Sequence, residues 1–365
     1  WGATALSSGA VDLAGASDER PGDPWRGRPA AARNLGEMLR RNPRHPLGTL
    51  VARVPEALAA FARAVPIYAS RPLDAPNLVL PTDLGTWKST FMAQRSQVDA
   101  DLVALDGKRV AVVGLRGWPI FRAAFVAASL EELARRGGVS VSMVPVEIEA
   151  GDADLPLREP HELARLVEQG AALADALRRA ATGFDLVLAP PVLGLDRDAR
   201  DLGLPLCEPL ASDQPVPGLR LQRALDRAVV AAGVEVRAGD AAVDGCDATV
   251  LASGRFLGGG IVREAGRFRE PLFDAPVCVD GAPDEGAWLG LHAGAHAVGP
   301  HAFLSAGVRV DERLRPLRAD GTPVRDSLFA AGAVIGGWDA VAERCGMGTA
   351  IVTGFFAGLA AAGAD

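Results

Sequence analysis

Three short segments of the sequence combine glycine with small polar residues, a composition suited to close contact with a flat ring or a phosphate. The first segment is Ser7-Ser8-Gly9, near the start of the sequence. Short hydroxyl side chains donate and accept hydrogen bonds, and a glycine lets the backbone come close to a bound group. We therefore predict that Ser7, Ser8 and Gly9 contact a planar cofactor, with an ordinary N-terminal turn as the alternative.

The second segment is the end of a predicted strand, TVLASG, which runs from Thr249 to Gly254. An apolar strand that ends in a small polar residue and a glycine is how a Rossmann-type sheet brings its backbone to a dinucleotide. Such strand ends also occur in sheets that bind nothing. The pattern predicts that Gly254 lines the edge of a cofactor site.

The third segment has the most specific pattern, because closely spaced glycines stand just before an alanine-rich helix. The start of a helix leaves free N–H groups and the positive end of the helix dipole, which suit an anion or a ring carbonyl. The predicted cofactor-binding residues in this segment are Gly332, Gly336, Gly337, Gly346, Met347 and Gly348. The alternative is that these glycines serve only tight turns.

Two further patterns are less specific. Gly114-Leu-Arg-Gly117 follows a predicted strand, but it is G-x-x-G rather than G-x-G-x-x-G, and the bulky Trp118 is a poor neighbour for a pyrophosphate. A pyridine-nucleotide site there ranks last among the alternatives. His292, His296 and His301 lie close together, yet no carboxylate or cysteine stands at a matching spacing. We therefore predict no metal site. The histidines either contact a substrate or cofactor or lie in a solvated loop, and the sequence leaves both interpretations open.

The composition excludes several functional classes. A net charge of −7 gives no basic surface for nucleic acid. Four cysteines without a C-x-x-C pair oppose an iron–sulfur or zinc framework and indicate free thiols in a reducing cytoplasm. The longest apolar stretch, 349–364, is shorter than the ~20 residues that a membrane span needs. It predicts a buried terminal helix in which Gly354 and Gly358 allow close approach to a sheet.

Alternating strands and helices must position the glycine-rich segments. Apolar runs and helical spacing predict strands at 109–114, 139–148 and 184–189, with helices at 120–136 and 161–181 between them. Pro119 would occupy the first turn of the first of these helices, where its missing N–H costs nothing. The alternation predicts a compact α/β unit over residues 78–212.

The flanking regions carry further predicted elements. Residues 17–34 read as a loop and 268–310 as irregular, whereas helical spacing predicts helices at 50–65 and 218–233. Strands are predicted at 234–238, 247–253 and 327–332. Arg220, at the head of the second helix, either meets an anion or lies on the surface, which is the commoner case.

Several segments, taken in order, resemble the B-subunit family of anaerobic glycerol-3-phosphate dehydrogenase. No single segment is decisive, but their shared order along nearly the whole chain is hard to obtain by chance. The similar stretches are 5–13, His45-Pro46-Leu47, 84–90, 112–117, 127–130, 217–222, 250–254 and 311–348.

The resemblance implies an α/β fold like that of the fumarate reductase and succinate dehydrogenase flavoproteins. The Rossmann-like flavin-binding domain would be discontinuous, built from 1–77 and 213–365, with 78–212 as an inserted α/β cap-like domain. The family's first strand and G-x-G-x-x-G turn are missing ahead of Ser7. We therefore expect either a sequence that lacks its first part or a protein that binds flavin weakly or not at all.

The resemblance also implies a cofactor and partners. The expected cofactor is FMN, with FAD possible, and the expected partners are a catalytic flavoprotein subunit and an iron–sulfur membrane-anchor subunit. The catalytic partner would oxidise sn-glycerol 3-phosphate to dihydroxyacetone phosphate, and electrons would pass to quinone. The expected location is cytoplasmic, peripheral to the inner face of the cell membrane through the partners, with no direct span.

No convincing general base stands out in the sequence, which favours electron relay over substrate oxidation on this chain. Two alternatives stay open. One is a non-catalytic structural subunit without bound flavin, which the missing first strand favours. The other is a stand-alone FAD-dependent reductase, which would need an acid or base such as His301 or Arg309.

Overall fold

The structure, a computed structural model, describes residues 3–15, 29–151, 154–196, 203–212, 215–239, 245–264, 267–279 and 302–364. Helices and strands alternate through these residues, and the largest sheet is parallel, so the predicted α/β class is confirmed. The predictions for His292, His296 and His301 lie outside the described residues.

Two helices precede the middle region: α1 (Ala31–Arg41) and α2 (Val54–Ala64). The sequence patterns did not indicate α1, whose start overlaps the loop predicted at 17–34. Its apolar residues Leu35 and Met38 lie on one face and are buried. The helix predicted at 50–65 is divided into a 3-10 turn and α2, because Pro55 in the first turn of α2 has no N–H to continue the preceding turn.

The middle region contains a hairpin, a short helix and a parallel sheet with its crossover helices. Its elements are β1 (Leu78–Pro81), β2 (Trp87–Thr90), α3 (Arg95–Val98), β3 (Arg109–Leu115), α4 (Ala123–Arg136), β4 (Ser142–Ile148), α5 (Pro160–Gln169), α6 (Ala171–Ala180), β5 (Leu186–Leu188) and β6 (Leu206–Cys207). The sheet has the order β4-β3-β5-β6. Since β3 lies between two strands and is covered by helices, its continuous apolar run is buried from Val110 onward.

Two predicted helices of the middle region differ in the structure. α4 begins at Ala123 rather than at residue 120, and Pro119 lies outside it. Residues 116–122 instead form a turn in which the buried Trp118 indole donates to the Arg158 carbonyl oxygen at 3.0 Å. The helix predicted at 161–181 is divided at Gly170, whose backbone is extended (φ −112°, ψ 117°) and therefore cannot continue α5.

The last region contains one long helix at each end and short strands between them. Its elements are α7 (Val216–Ala231), β7 (Thr249–Leu251), β8 (Val262–Glu264), β9 (Arg267–Arg269), β10 (Val277–Cys278), β11 (Gly307–Val308), β12 (Leu328–Ala330) and α8 (Gly346–Ala361). β7 and β12 form a parallel pair, although 76 residues separate Leu251 from Leu328 in the sequence. Gly332, after the end of β12, lies against α8, where its N–H donates to Thr353 Oγ1 at 2.9 Å.

Two predictions for this region are wrong. Residues 234–238 form no strand: Val234 and Val236 are 54% and 70% exposed, and no strand among the described residues pairs with them. Gly354 and Gly358 do not bring α8 close to a sheet, because a Cβ at either residue would have no atom within 4 Å. Within the described ranges, every helix is too short or too polar to cross a lipid bilayer.

The buried apolar side chains form two large clusters. The first contains the four-stranded sheet and its helices α4 to α6. The second contains α1, α2, β12 and α8, and it also includes Phe91 and Met92 from the middle region. The boundaries at 78 and 212, the discontinuous flavin domain and the cap-like role of the middle region stay predictions.

Candidate functional site

The first turn of α8 packs against the N-terminal segment. The Gly348 N–H donates to the Asp12 carbonyl oxygen at 3.0 Å. A Cβ at Gly348 would lie 2.7 Å from that oxygen and 2.9 Å from the Leu13 Cα, so a larger residue could not keep this approach. The structure therefore brings the glycines at the helix start close to the segment that carries Ser7-Ser8-Gly9.

The Ser7-Ser8-Gly9 segment is a tight turn that the protein holds through its carbonyl groups. Gly9 has a φ of +79°, a conformation that glycine adopts most easily. The Tyr68 hydroxyl donates to the Gly9 carbonyl oxygen at 2.5 Å, and the Gln97 side-chain amide donates to that of Ser8 at 3.0 Å. Within the described residues, each seryl hydroxyl only accepts a long N–H contact of 3.4 Å, so its own proton is available to a ligand.

The N–H groups of four predicted glycines are already used inside the protein. Gly332 donates to Thr353 Oγ1 at 2.9 Å, Gly336 to the Val308 carbonyl at 3.0 Å, Gly337 to that of Ser305 at 2.9 Å and Gly348 to that of Asp12 at 3.0 Å. The expectation that these four present N–H groups to a ring is therefore corrected. They allow close backbone packing instead, as at Gly336, where a Cβ would lie 2.8 Å from the Gly307 carbonyl oxygen.

The N–H groups of Gly346 and Met347 differ from those of the other four glycines. They are the first two residues of the 16-residue helix α8, and neither N–H has an acceptor in the part of the chain that the structure describes. The positive end of the helix dipole lies at these N–H groups. An anion or a ring carbonyl can be bound here, as the sequence predicts for the helix start.

Arg255 ties the end of β7 to the turn between Gly332 and Trp338. Its guanidinium donates to the carbonyl oxygens of Ala333 at 3.1 Å and of Ile335 and Trp338 at 3.3 Å. Burial lowers the pKa of Arg255 to about 10. The sequence analysis did not identify Arg255. Its position directly after the Ser-Gly end of the predicted strand could have indicated it. Arg255, the residue after Gly254, thus connects the end of the predicted strand to the turn that contains Gly332, Gly336 and Gly337.

His45 forms a buried polar cluster with Glu343 and Cys345 before the start of α8. Its Nε2 lies 3.5 Å from Cys345 Sγ and 3.9 Å from Glu343 Oε2, a set of atoms that would suit a metal ion by type. However, the Leu47 N–H donates to His45 Nδ1 at 3.1 Å. Nδ1 therefore carries no proton, and the neutral ring must carry it on Nε2. Nε2 is then a donor toward Cys345 and Glu343 rather than a metal ligand.

The charge states in this cluster agree with a structural role. Burial lowers the pKa of His45 to about 4 and raises that of Cys345 to about 12, so both side chains are neutral at pH 7. The Asn42 side-chain amide adds two hydrogen bonds of 2.8 Å, to the Gly337 carbonyl oxygen and to Glu343 Oε1. The cluster fixes the loop between α1 and α2 against the turn before α8.

A cavity of about 340 Å³ opens beside this cluster and reaches Gly336. Its charged lining includes Arg44, Arg309, Asp311 and Glu312, so two cations and two anions face the same space. Arg309, the acid–base candidate of the stand-alone reductase, donates to the Arg318 carbonyl oxygen at 3.3 Å. The cavity can admit a small polar molecule, but its balanced charge selects no particular ion.

The G-x-x-G turn after β3 is unsuited to a nucleotide. A Cβ at Gly114 would lie 2.8 Å from the Glu147 carboxyl carbon, so a negative side chain stands beside this turn. Trp118 is buried at the end of β3. A cavity of about 490 Å³ opens beside this turn, and Gly117, Trp118 and Glu147 line it. The Glu147 carboxylate would repel a phosphate at the turn, so the structure does not favour the pyridine-nucleotide alternative.

Comparisons with known proteins decide the family. A family model described as an FAD binding domain matches residues 217–349. The probable B subunit of anaerobic glycerol-3-phosphate dehydrogenase from Halobacterium salinarum is 34% identical over 357 residues, which cover 87% of this chain and 82% of that relative. The chain belongs to the B-subunit family of anaerobic glycerol-3-phosphate dehydrogenase.

More distant members of the family are similar over most of the same length. The B subunit of the Yersinia pestis enzyme is 28% identical over 316 residues, covering 77% of this chain and 72% of the relative. The B subunit of the Vibrio cholerae enzyme is 27% identical over 394 aligned positions, which cover 96% of this chain and 87% of that relative. The resemblance inferred from the order of the motifs is thus confirmed. No solved structure gives a significant match.

The FAD binding domain match covers two of the three predicted segments in this family member. Gly254 and the run from Gly332 to Gly348 lie inside residues 217–349, whereas Ser7-Ser8-Gly9 lies outside. The match therefore supports a flavin at the C-terminal segments, and the assignment of individual site residues stays a prediction.

Polar groups in and near the three predicted segments fit a flavin. Within the described residues, Asp12 Oδ1, Ser253 Oγ and Thr349 Oγ1 are buried without a hydrogen-bond partner, and each stands in or next to one of the segments. Leaving such an atom unpaired costs about 1–3 kcal/mol, which a bound ring with N–H and C=O groups can offset. Hydroxyl, carboxylate and free N–H groups together match the polar edge of such a ring.

Proposed function

We propose that this chain is a flavin-carrying subunit of a membrane-associated glycerol-3-phosphate dehydrogenase complex and that it relays electrons. In this complex a catalytic flavoprotein subunit oxidises sn-glycerol 3-phosphate to dihydroxyacetone phosphate. An iron–sulfur membrane-anchor subunit passes the electrons to quinone and holds the complex at the cytoplasmic face of the membrane. The observation that carries the proposal is the free N–H pair of Gly346 and Met347 beside the N-terminal segment, within a chain of the B-subunit family.

Each predicted segment has a distinct task in this proposal. The N–H groups of Gly346 and Met347 hold a carbonyl or anionic edge of the ring, and the hydroxyls of Ser7 and Ser8 donate to its other polar atoms. Gly9, Gly254, Gly332, Gly336, Gly337 and Gly348 let the backbone come close. When bound, a flavin accepts two electrons and releases them singly, so the protein supplies only position and potential.

Among the histidines that the structure describes, His45 lies beside these segments, and it is unsuited to remove a proton from a substrate. His45 keeps its proton on Nε2, while its Nδ1 accepts the Leu47 N–H. Burial also lowers its pKa to about 4. This agrees with electron relay and with substrate oxidation on the sister subunit.

The first test is the absorbance spectrum of the purified chain, followed by chromatography of the cofactor after denaturation. Flavin bands that follow the protein support the proposal. Release of FMN supports the cofactor expected from the family, and release of FAD supports the cofactor named by the domain match. A well-folded, colourless protein that takes up neither FMN nor FAD would contradict the proposal that this chain binds flavin.

A pair of glycine variants makes this test specific to the site. Gly9→Ala strains a residue with φ +79° and places a Cβ 2.6 Å from the Gln94 side chain and 2.9 Å from the Pro217 Cβ, so we expect flavin to be lost. Gly107→Ala strains a residue with φ +74° that has no atom within 4 Å, and we expect it to keep flavin. Equal loss in both variants would mean that general instability causes the effect.

A structural subunit without flavin is the second candidate function. The four glycine N–H groups that already have protein acceptors favour it, because the turns are complete without a ligand. The colourless outcome of the spectrum would establish this candidate.

The relay role is tested by reduction of the bound flavin. We expect glycerol 3-phosphate to bleach the flavin of this chain only when the catalytic partner is present. Bleaching of the isolated chain would instead establish a stand-alone reductase.

A further inference from the structure

A buried ion pair joins the middle region to α7. Arg220 and Glu208 pair through Nη1 and Oε1, and their side chains are 5% and 0% exposed. Arg220 is thus not on the surface, which corrects that alternative, and the anion that it meets is the carboxylate of Glu208 in the same chain. Glu208 also accepts from Ser96 Oγ at 2.7 Å, and Arg220 Nε donates to the Gly194 carbonyl oxygen at 2.9 Å. Buried charges persist when they are paired and hydrogen-bonded in this way.

The arginine fixes the orientation of a neighbouring glutamine amide. Arg220 Nη1 donates to Gln94 Oε1 at 2.8 Å. A guanidinium has donors only, so the oxygen of the Gln94 amide must face Arg220 and the nitrogen must face away. Gln94 Nε2 accordingly donates to the Pro217 carbonyl oxygen at 2.7 Å and toward the Tyr68 hydroxyl at 3.4 Å.

The direction of the hydrogen bonds continues to the Ser7-Ser8-Gly9 turn. Because the Tyr68 oxygen accepts from Gln94, its own proton is directed to the Gly9 carbonyl oxygen, 2.5 Å away. Tyr68 is fully buried, and burial raises its pKa, so this proton stays in place. Gln97, which forms a capping box with Gln94 at the start of α3, holds the Ser8 carbonyl oxygen at 3.0 Å.

The packing beneath the turn leaves no room for an alternative path. A Cβ at Gly218 on α7 would lie 2.7 Å from the Ala5 carbonyl oxygen and would also overlap that of Ser7. The backbone of the turn is therefore fixed by α7 below and by Tyr68 and Gln97 at its carbonyl groups. Its hydroxyls are the part that stays available.

We propose that Tyr68 and Gln94 are positioning residues for the Ser7-Ser8-Gly9 turn, held in register by the buried Arg220–Glu208 pair. The middle region thereby sets the geometry of a predicted cofactor contact on the N-terminal segment. The identity of the cofactor in this proposal rests on the proposed function. The ordering of the turn by Tyr68 and Gln94 does not depend on the proposed function.

The test compares Tyr68→Phe and Gln94→Met with the full wild-type chain. Each variant removes a hydrogen-bonding group and keeps a side chain of similar size. Trp118→Phe is the matched control, since it loses a donor to a carbonyl, that of Arg158 at 3.0 Å, and shares no atom with the network. The measurements are amide hydrogen exchange in residues 5–13, the affinity for added FMN and FAD, and the visible spectrum of bound flavin.

We expect Tyr68→Phe and Gln94→Met to raise exchange in residues 5–13 about tenfold, the equivalent of one lost hydrogen bond. We also expect about tenfold weaker flavin binding and a shifted flavin spectrum. Trp118→Phe should lower the melting temperature without changing the exchange in residues 5–13 or the spectrum.

The outcomes separate this proposal from the proposed function. A wild-type chain that binds no flavin, with faster exchange of the turn in both variants, would sink the flavin claim and keep the positioning role. Variants that lose stability like Trp118→Phe, with unchanged exchange in residues 5–13, would overturn the positioning role whatever the wild type binds.

Discussion

At the scale of single residues, burial decides which groups near the start of α8 are charged. His45 and Cys345 are neutral because the interior disfavours their ionised forms. Arg255 remains charged at pH 7 because its pKa, which burial lowers, is still about 10. Its guanidinium donates hydrogen bonds to three carbonyl oxygens. The polar groups around the candidate site therefore act chiefly as hydrogen-bonding supports for turns.

The neutral state of His45 predicts a pH-dependent stability. The folded pKa is about 4, against 6.5 for an exposed histidine, so below pH 6.5 the unfolded chain binds a proton that the folded chain does not. Stability from this residue is present above pH 6.5 and is lost as the pH falls toward 4. Between pH 7 and pH 5 the free energy of unfolding should fall by about 2 kcal/mol from His45 alone.

Urea unfolding at the two pH values measures this difference. His45→Gln should remove most of this contribution, because the titrating ring is gone. His161→Gln, at a partly exposed position of α5, should keep it. An unchanged pH dependence in His45→Gln would contradict the assignment of a buried neutral ring.

The contacts of Arg255 predict a loss of stability on truncation. Arg255→Met leaves three carbonyl oxygens of the Gly332–Trp338 turn without their donor, so we expect a loss of about 2 kcal/mol in the free energy of unfolding. Arg263→Met removes an exposed guanidinium 5.8 Å from the Phe268 ring and should change stability little. Equal losses for both variants in urea unfolding would argue against a special role of Arg255.

At the scale of elements, the N-terminal segment packs closely against the start of α8. Gly348 lets the N-terminal segment cross the helix, whereas Gly354 and Gly358 face open space. Gly354 and Gly358 have the spacing of a helix-packing motif, but no other element among the described residues packs against them. Of these three glycines, Gly348 at the helix start is the one that close packing requires.

This contrast predicts opposite effects of two alanine substitutions on one helix. Gly348→Ala should destabilise the protein, because its Cβ would meet the Asp12 carbonyl oxygen at 2.7 Å. Gly354→Ala should stabilise the protein by up to about 1 kcal/mol, because alanine favours the helix and nothing lies within 4 Å. Thermal unfolding distinguishes the two signs, and a gain in Gly348→Ala would refute the close crossing.

At the scale of the whole molecule, two hydrophobic clusters are joined by buried polar contacts. The Arg220–Glu208 pair links α7, which contributes Leu221 and Ala224 to the second cluster, to the end of the four-stranded sheet. The Arg220–Glu208 pair is stable in the interior only while both charges are present, because either charge alone would be buried without a partner. Its loss should therefore weaken the association of the two parts of the chain.

We predict that Glu208→Ala lowers the free energy of unfolding by about 3–5 kcal/mol, because it leaves Arg220 buried without its anion. Asp196→Ala is the matched control: it removes an acid that pairs with Arg223 and Arg227 at the surface, where Asp196 is 45% exposed. The control should lose less than about 1 kcal/mol. Similar losses in urea unfolding would mean that the buried pair is no more important than a surface pair.

Local sequence patterns were sufficient for elements whose own residues specify them. The run Val110–Leu115 is apolar and β-branched enough to indicate a buried strand, and the structure has one there. The pattern at 234–238 also suits a strand, but these residues form none, and no strand in the described part of the chain pairs with them. Pairing between strands depends on the path of the chain, which the local pattern does not contain.

The sequence by itself determined the α/β class, the family and the glycine-rich start of α8, because these depend on composition and order along the chain. Only the tertiary structure decided that Gly332, Gly336, Gly337 and Gly348 use their N–H groups internally and that Gly346 and Met347 do not. It also brought His45 to Cys345, 300 residues away, and Tyr68 to Gly9. Such contacts arise from packing between distant segments, and no local periodicity specifies them.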